Sequence, residues 1–262
     1  RSIEQAHPFN QDFPGKINHA DLKQTFLNIF EEIEEKHVSA REYLMGIFYQ
    51  SIQEKKRKTV TIINPVDKES NVPIKDIIYL LKEHFYYKYS SRGASILPVI
   101  AFYSIYECMI KYFDRFKRKK LDTLNSHNSC DRSSKEMGDI VIRNISDNSI
   151  YEVLEIKFDI VPNKLMVQDA YDKFKEQNSV QRYYILSTKH VIEDREQEKM
   201  DDFISEVYNE HGCQIIINGI FDTLKYYLRL LTNTDEFLKF YTENLQGNTE
   251  LDFEHKISWN RT

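Results

Sequence analysis

GDIVIRNISDNSIYEVLEIKF, residues 138–158, is the stretch whose reading decides the fold. Two β-prone segments, GDIVIRNI and IYEVLEIKF, flank the polar turn SDNS, which is the pattern of a hairpin. Side chains alternate faces along a strand, so Tyr151, Val153, Glu155 and Lys157 share one side. Glu152, Leu154, Ile156 and Phe158 share the other. Glu155 and Lys157 therefore project together, an acid and a base beside a strand that opens with Asp139. Glu152 is excluded from that group by strand phase.

Outward from the hairpin, the spacing predicts a mixed architecture. On the N-terminal side, RGASILPVIAFYSIYECMIKYFDRFKRKK reads as one long helix from Arg92, with Ser95 as a cap and Pro98 tolerable in its first turn. Ile96, Ile100, Tyr103, Glu107 and Ile110 fall in one stripe of it. Glu107, a carboxylate within that stripe, needs a partner or the solvent edge. Its functional reading is a further acid facing Asp139 and Glu155, which could hold a metal ion. The helix ends in the basic cluster Lys117, Arg118, Lys119 and Lys120. The polar loop that follows contains His127, Asp131 and Arg132 and could contact a phosphate or a base edge.

On the C-terminal side, 163–177 reads as a crossover helix and RYYILST from Arg182 as a buried strand. A helix over 193–210, a strand CQIIING from Cys213, and helices over 220–231 and 235–245 follow. This order implies an α/β (α+β) fold, a mixed central sheet flanked by helices.

Residues 1–91 read as a mainly helical region. It begins with an irregular arm, followed by a helix capped by Asn18 or Asp21, with Leu22, Phe26, Phe30 and Ile33 on one face. A helix over 40–55, with a face of Tyr43, Leu44, Ile47 and Phe48, comes next. Lys55, Lys56, Arg57 and Lys58 form a second basic cluster. TVTIIN, residues 59–64, is a strand or a connection, and a helix covers 75–87. Three regions are expected: 1–91, the mixed α/β core with its C-terminal helices over 92–246, and an irregular tail over 247–262 that includes Trp259.

Composition bounds the function classes. The 262 residues are 41% hydrophobic, with 17 Tyr and 16 Phe, enough for a substantial core and against disorder. Net charge of −5 speaks against indiscriminate binding to nucleic acid, though not against a local basic surface. Cys108, Cys130 and Cys213 fit neither a disulfide framework nor a zinc pattern, so a reducing cytoplasm is the natural setting. No apolar run approaches the ~20 residues that span a bilayer. The chain lacks an initiator Met, so a longer parent protein is one expectation.

Hydrolysis of a phosphodiester needs a metal to polarise the phosphoryl oxygen and a cation near the developing charge. Oxygen ligands suit magnesium, which uses only one or two carboxylates. Asp139 and Glu155 would be those ligands, with the backbone carbonyl of Ile156 completing the protein's share. Lys157 would orient the water and stabilise the transition state. No Cys or His cluster offers a competing zinc site.

Asp139 followed by Glu155, Ile156 and Lys157, on consecutive strands between a long helix and a crossover helix, resembles the PD-(D/E)xK nuclease superfamily over roughly residues 93–220. Gly138 stands where the family name has Pro. The wider run of RGASILP at 92–98, SHNSCD at 126–131, GDIVI at 138–142 and EIK at 155–157 looks like SacI-type type II restriction endonucleases. The resemblance implies magnesium-dependent cleavage of double-stranded DNA at a short specific sequence by a homodimer. The helical N-terminal region and the 118–136 loop would supply base and phosphate contacts. The alternatives are a DNA-binding or interaction module that does not cut, and a repair or modification-dependent nuclease on the same core.

Overall fold

The hairpin forms as its spacing predicts, and one sheet is built around it. The computed structural model describes residues 9–15, 19–57, 60–65, 71–124 and 137–262. β1 (Lys119–Leu121), β2 (Ile140–Asn144) and β3 (Ile150–Lys157) run antiparallel, and β3, β4 (Arg182–Ser187) and β5 (Gln214–Gly219) run parallel, in the order β1-β2-β3-β4-β5. Between β2 and β3, Asp147 Oδ1 accepts the Ser149 N–H at 3.0 Å and its hydroxyl at 2.6 Å, and Asn148 adopts a left-handed φ of 60°.

Ile140 lies opposite Leu154 and Ile142 opposite Glu152, but a register shift after Ile142 sets Arg143 opposite Ile150. That shift corrects the expected alternation at the start of β3. Tyr151 was expected beside Glu155. It packs instead on the opposite face, its ring edge-on to Phe116 at 6.5 Å, while Ile150 packs with Val153.

The helix expected from Arg92 to Lys120 is shorter. α4 (Ile96–Tyr112) gives way to a 3-10 turn at Asp114–Phe116 and then to β1. Phe113 turns extended and Arg118 takes a left-handed φ of 62°. Lys117–Lys120 offers no apolar residue to hold a helix on the core, and pairing with β2 satisfies its backbone instead. β1 is therefore an edge strand that the sequence reading missed.

β3 is buried on both faces. On one side Leu154 and Ile156 pack with Ile96, Val99 and Ile100 of α4. On the other, Val153, Tyr183 and Ile185 pack with Val167 and Phe174 of α5 (Lys164–Phe174) and Met200 and Val207 of α6 (Asp194–His211). Asn163 caps α5 by accepting the Met166 N–H at 3.1 Å. α5 and α6 are the crossovers that parallel pairing requires.

The chain divides into two units, Arg1–Thr59 and Val60–Thr262. The first holds α1 (Ala20–Glu34) and α2 (Ala40–Arg57). His19 stands at the N-cap of α1, Asp21 lies in its first turn, Leu27 is its buried residue, and Leu22, expected inward, is exposed.

The second unit adds α3 (Ile74–Phe85), α7 (Ile220–Leu228), α8 (Asp235–Gly247) and α9 (Phe253–Arg261). Residues 60–91, expected with the N-terminal region, thus pack with the sheet. The 247–262 segment, expected to be irregular, contains α9. Asp252 caps it through the Phe253 N–H at 2.7 Å, and the buried Trp259 ring packs against His84 and Tyr241 at 5.2 and 4.9 Å.

Residues 60–64 are a connection, with no strand. Ile62 N–H donates to Gln246 Oε1 and Ile63 N–H to Asn260 Oδ1, both at 2.8 Å. Among the described residues, no helix is long and apolar enough to cross a membrane.

Candidate active site

The C-terminal end of β3 presents Glu155 and Lys157 toward α5, where the alternation puts them. Lys157 Nζ donates to Glu155 Oε1 at 2.6 Å. Two further groups converge on the same carboxylate, Lys173 Nζ to Oε2 at 2.7 Å and the Tyr183 hydroxyl to Oε2 at 2.9 Å. The Tyr183 hydroxyl also lies 2.7 Å from the Met137 carbonyl, so its one proton is shared between that carbonyl and Glu155, tying the site to the start of the hairpin. Glu155, Lys157, Lys173, Asp169 and Asp172 line a cleft of about 400 Å³ between β3 and α5, floored by Met166, Ala170 and Ile185.

Asp139 reaches the backbone between the two catalytic candidates. Its Oδ2 accepts the Ile156 N–H at 2.6 Å. The N–H and C=O of one strand residue point to the same neighbour. The Lys157 carbonyl bonds toward β4, accepting the Thr188 N–H at 3.2 Å, so the Ile156 carbonyl projects to the β2 side, where Asp139 lies. Asp139 and Ile156 line a second opening of about 390 Å³, with Arg92, Ser95 and Val99, on the α4 side of β3. Glu155 and Lys157 are thus brought together, while Asp139 meets the peptide that links them from the other side.

Burial pushes the Glu155 carboxyl up, but Lys173 first and Lys157 next outweigh it and hold it below the ordinary carboxylate range. Burial, followed by the charges of Glu155 and Asp139, drives Tyr183 far above the ordinary phenol range, so it stands as a neutral donor. A carboxylate has about four lone-pair sites, and Lys157, Lys173 and Tyr183 take three of those on Glu155.

No family model and no curated protein matches this chain.

The other expected site residues fall elsewhere. Glu107 Oε2 accepts Asn244 Nδ2 of α8 at 2.6 Å. Burial pushes its carboxyl up against that bond. Eight residues of helix, about 12 Å of rise, separate it from Val99 beside Asp139, so it is not a fourth acid of the site.

Of the basic cluster, Lys117 pairs with Asp114 at 2.8 Å, while Lys119 donates to Asn144 at 2.6 Å and lies 4.3 Å from the Tyr151 ring centre. Arg118 and Lys120 are exposed. Lys119 lies opposite Asn144, at the far end of β2 and about 16 Å of strand from Asp139. The cluster therefore does not line the cleft. His127, Asp131 and Arg132 lie outside the described residues.

Glu152 faces away from the cleft, as strand phase predicts, but it is fully buried rather than a solvent-side acid. It accepts the Tyr106 hydroxyl at 2.6 Å and is paired with Arg115.

Sequence reasoning missed Lys173 and Tyr183. At 100° per residue Lys173 falls on the Met166 and Ala170 face of α5, an ammonium on a stripe aimed at the sheet, and that was the available signal. Tyr183 gave none, since parallel register alone sets it beside Val153.

The donor set suits a hard ion. Asp139, Glu155 and the Ile156 carbonyl offer only oxygen. Among the described residues no group of three or more His, Cys, Asp or Glu is placed to hold a metal ion.

Proposed function

We propose that this chain is a magnesium-dependent endonuclease that hydrolyses phosphodiester bonds of double-stranded DNA at specific sequences, as its resemblance to PD-(D/E)xK nucleases implies. The observation that carries the reading is the convergence of an ionised Glu155 with two ammonium groups, beside the peptide that Asp139 grips. A structural surface hairpin gives no reason for an acid to be held so at a cleft. Its type II restriction character and a cytoplasmic setting belong to the same proposal.

Asp139, Glu155 and the Ile156 carbonyl would hold magnesium, which supplies a Lewis acid for the phosphoryl oxygen and lowers the pKa of the attacking water. Lys157 sets an ammonium at the cleft, placed to orient that water and to meet the charge that develops on the phosphoryl oxygens. Lys173 holds Glu155 in register and contributes a second positive group to a cleft that three acids line. Tyr183 bonds the same Glu155 Oε2 as Lys173. Arg118 and Lys120, exposed near the far end of β2, would meet backbone phosphates away from the cut.

A second reading is a DNA-binding module that does not cut. The saturation of Glu155 by Lys157, Lys173 and Tyr183 favours it, because these donors occupy positions a metal would share.

Incubation with phage DNA and magnesium separates the readings. Discrete fragments are expected. A smear would indicate a nonspecific nuclease, and cutting of methylated DNA alone a modification-dependent one. A gel shift without cutting would establish the module and overturn the nuclease.

A further inference from the structure

We propose that Arg92 holds the backbone phosphate that lies at Asp139, approaching it from the α4 side of β3. The contact rests on the nuclease reading, which puts the scissile phosphate beside the magnesium that Asp139 would hold. Arg92 and Asp139 line the same opening of about 390 Å³, with Ser95, Ile156 and Glu250. Arg92 is the one cation among the described residues that line it, and it makes no hydrogen bond or ion pair with any described residue.

The backbone on either side of Arg92 is fixed. Glu254 of α9 accepts the N–H and the hydroxyl of both Ser90 and Ser91 at 2.9–3.1 Å. On the other side Gly93 adopts a φ of 119°, which other residues rarely enter. The Ile96 and Leu97 N–H groups then bond to the Gly93 and Ala94 carbonyls at 3.0 and 3.1 Å to start α4. The guanidinium is thus carried on a braced turn, and no described partner competes for its donors.

The charges at the opening call for that cation. Asp139 and Glu250 both line it, so a phosphate enters only where positive charge offsets two carboxylates. Arg92 offsets Glu250, as magnesium held by Asp139 would offset that carboxylate. Lys157 and Lys173 reach Glu155 from the α5 side, which leaves Arg92 to meet the phosphate from the α4 side. A guanidinium presents parallel N–H donors that match two phosphate oxygens, which an ammonium cannot do. Ser95, at the N-cap of α4, makes no cap hydrogen bond and adds a neutral hydroxyl to the same opening.

The salt dependence of DNA binding tests the contact with neither metal nor cutting. Fluorescence anisotropy of the full chain with labelled duplex fragments of phage DNA in EDTA gives the slope of log K against log salt, to which each phosphate contact adds about 0.9. Arg92 is exposed, so its variants are expected to keep the wild-type Tm. Arg92→Ala is expected to make the slope shallower by about 0.9, and Arg92→Lys to keep it. In magnesium, the cleavage rate at saturating DNA is expected to fall about a hundredfold in Arg92→Ala. An unchanged slope in Arg92→Ala, or an unchanged rate at saturating DNA, would overturn the proposal while leaving a wild type that cuts, and with it the nuclease reading, in place. A shallower slope in a chain that binds without cutting would keep the phosphate contact and overturn the nuclease. No binding by the wild type would overturn both.

Discussion

Glu155 is kept ionised by neighbours from three elements, Lys157 on β3, Lys173 on α5 and Tyr183 on β4. Removing Lys173 withdraws the largest of the favourable charges, so the carboxyl rises. Lys173→Ala is expected to move the acid limb of the cleavage pH profile to higher pH, read from rates at saturating magnesium. An unmoved limb would take Lys173 out of the site.

Glu152→Gln serves as the comparison on the other face. It leaves the cleft chemistry in place but breaks the Arg115 pair in the core. We expect near-normal cleavage with stability lower by about 2 kcal/mol, a fall in Tm of roughly 4–8 °C by calorimetry.

Period 2 along β3 was enough to separate Glu155 and Lys157 from Glu152. It was not enough to find Lys173 or Tyr183, because their approach depends on how α5 and β4 cross β3, which no local spacing encodes. Glu107 misled because an acid in an apolar stripe signals only that it needs a partner, and Asn244, 137 residues away, supplies it.

At the scale of elements, regularity decided what was legible. β4, β5 and α5, and β3 from Glu152 onward, are marked by alternation or by a 3.6-residue stripe and lie where their patterns put them. Two segments without such a stripe were misread. The basic run at 117–120 looked like a helix end and is in part an edge strand. The last dozen residues looked irregular, yet α9 forms because Asp252 caps it and Trp259 has a pocket formed with His84 and Tyr241. Trp259→Ala is therefore expected to cost about 3 kcal/mol in denaturant unfolding, a loss that a free tail would not show. Asn163→Ala removes the cap of α5 and should cost about 1 kcal/mol, with α5 still carrying Lys173 to Glu155.

Within the unit from Val60 to Thr262, distant parts of the chain meet at a buried histidine. His84 Nε2 donates to the His255 carbonyl at 2.9 Å, which leaves Nδ1 to accept the Tyr241 hydroxyl at 2.8 Å. Burial is the main cause that lowers its pKa from 6.5 to about 4, and burial lowers His255 as well. The unfolded chain binds these protons at pH values where the folded chain does not. Stability should thus be full above about pH 6.5 and fall as pH drops toward 4. Tm measured across that range tests it, and a flat profile would contradict the neutral, buried state of His84.

The claim on which function turns is that Glu155 and Lys157 act on a scissile phosphate with magnesium. Its most direct test is the rate of double-stranded DNA cleavage in magnesium by the wild-type chain, Glu155→Gln and Lys157→Ala. Cleavage by the wild type with a loss of about a thousandfold or more in each variant is the predicted result. Wild-type rates in either variant would contradict it.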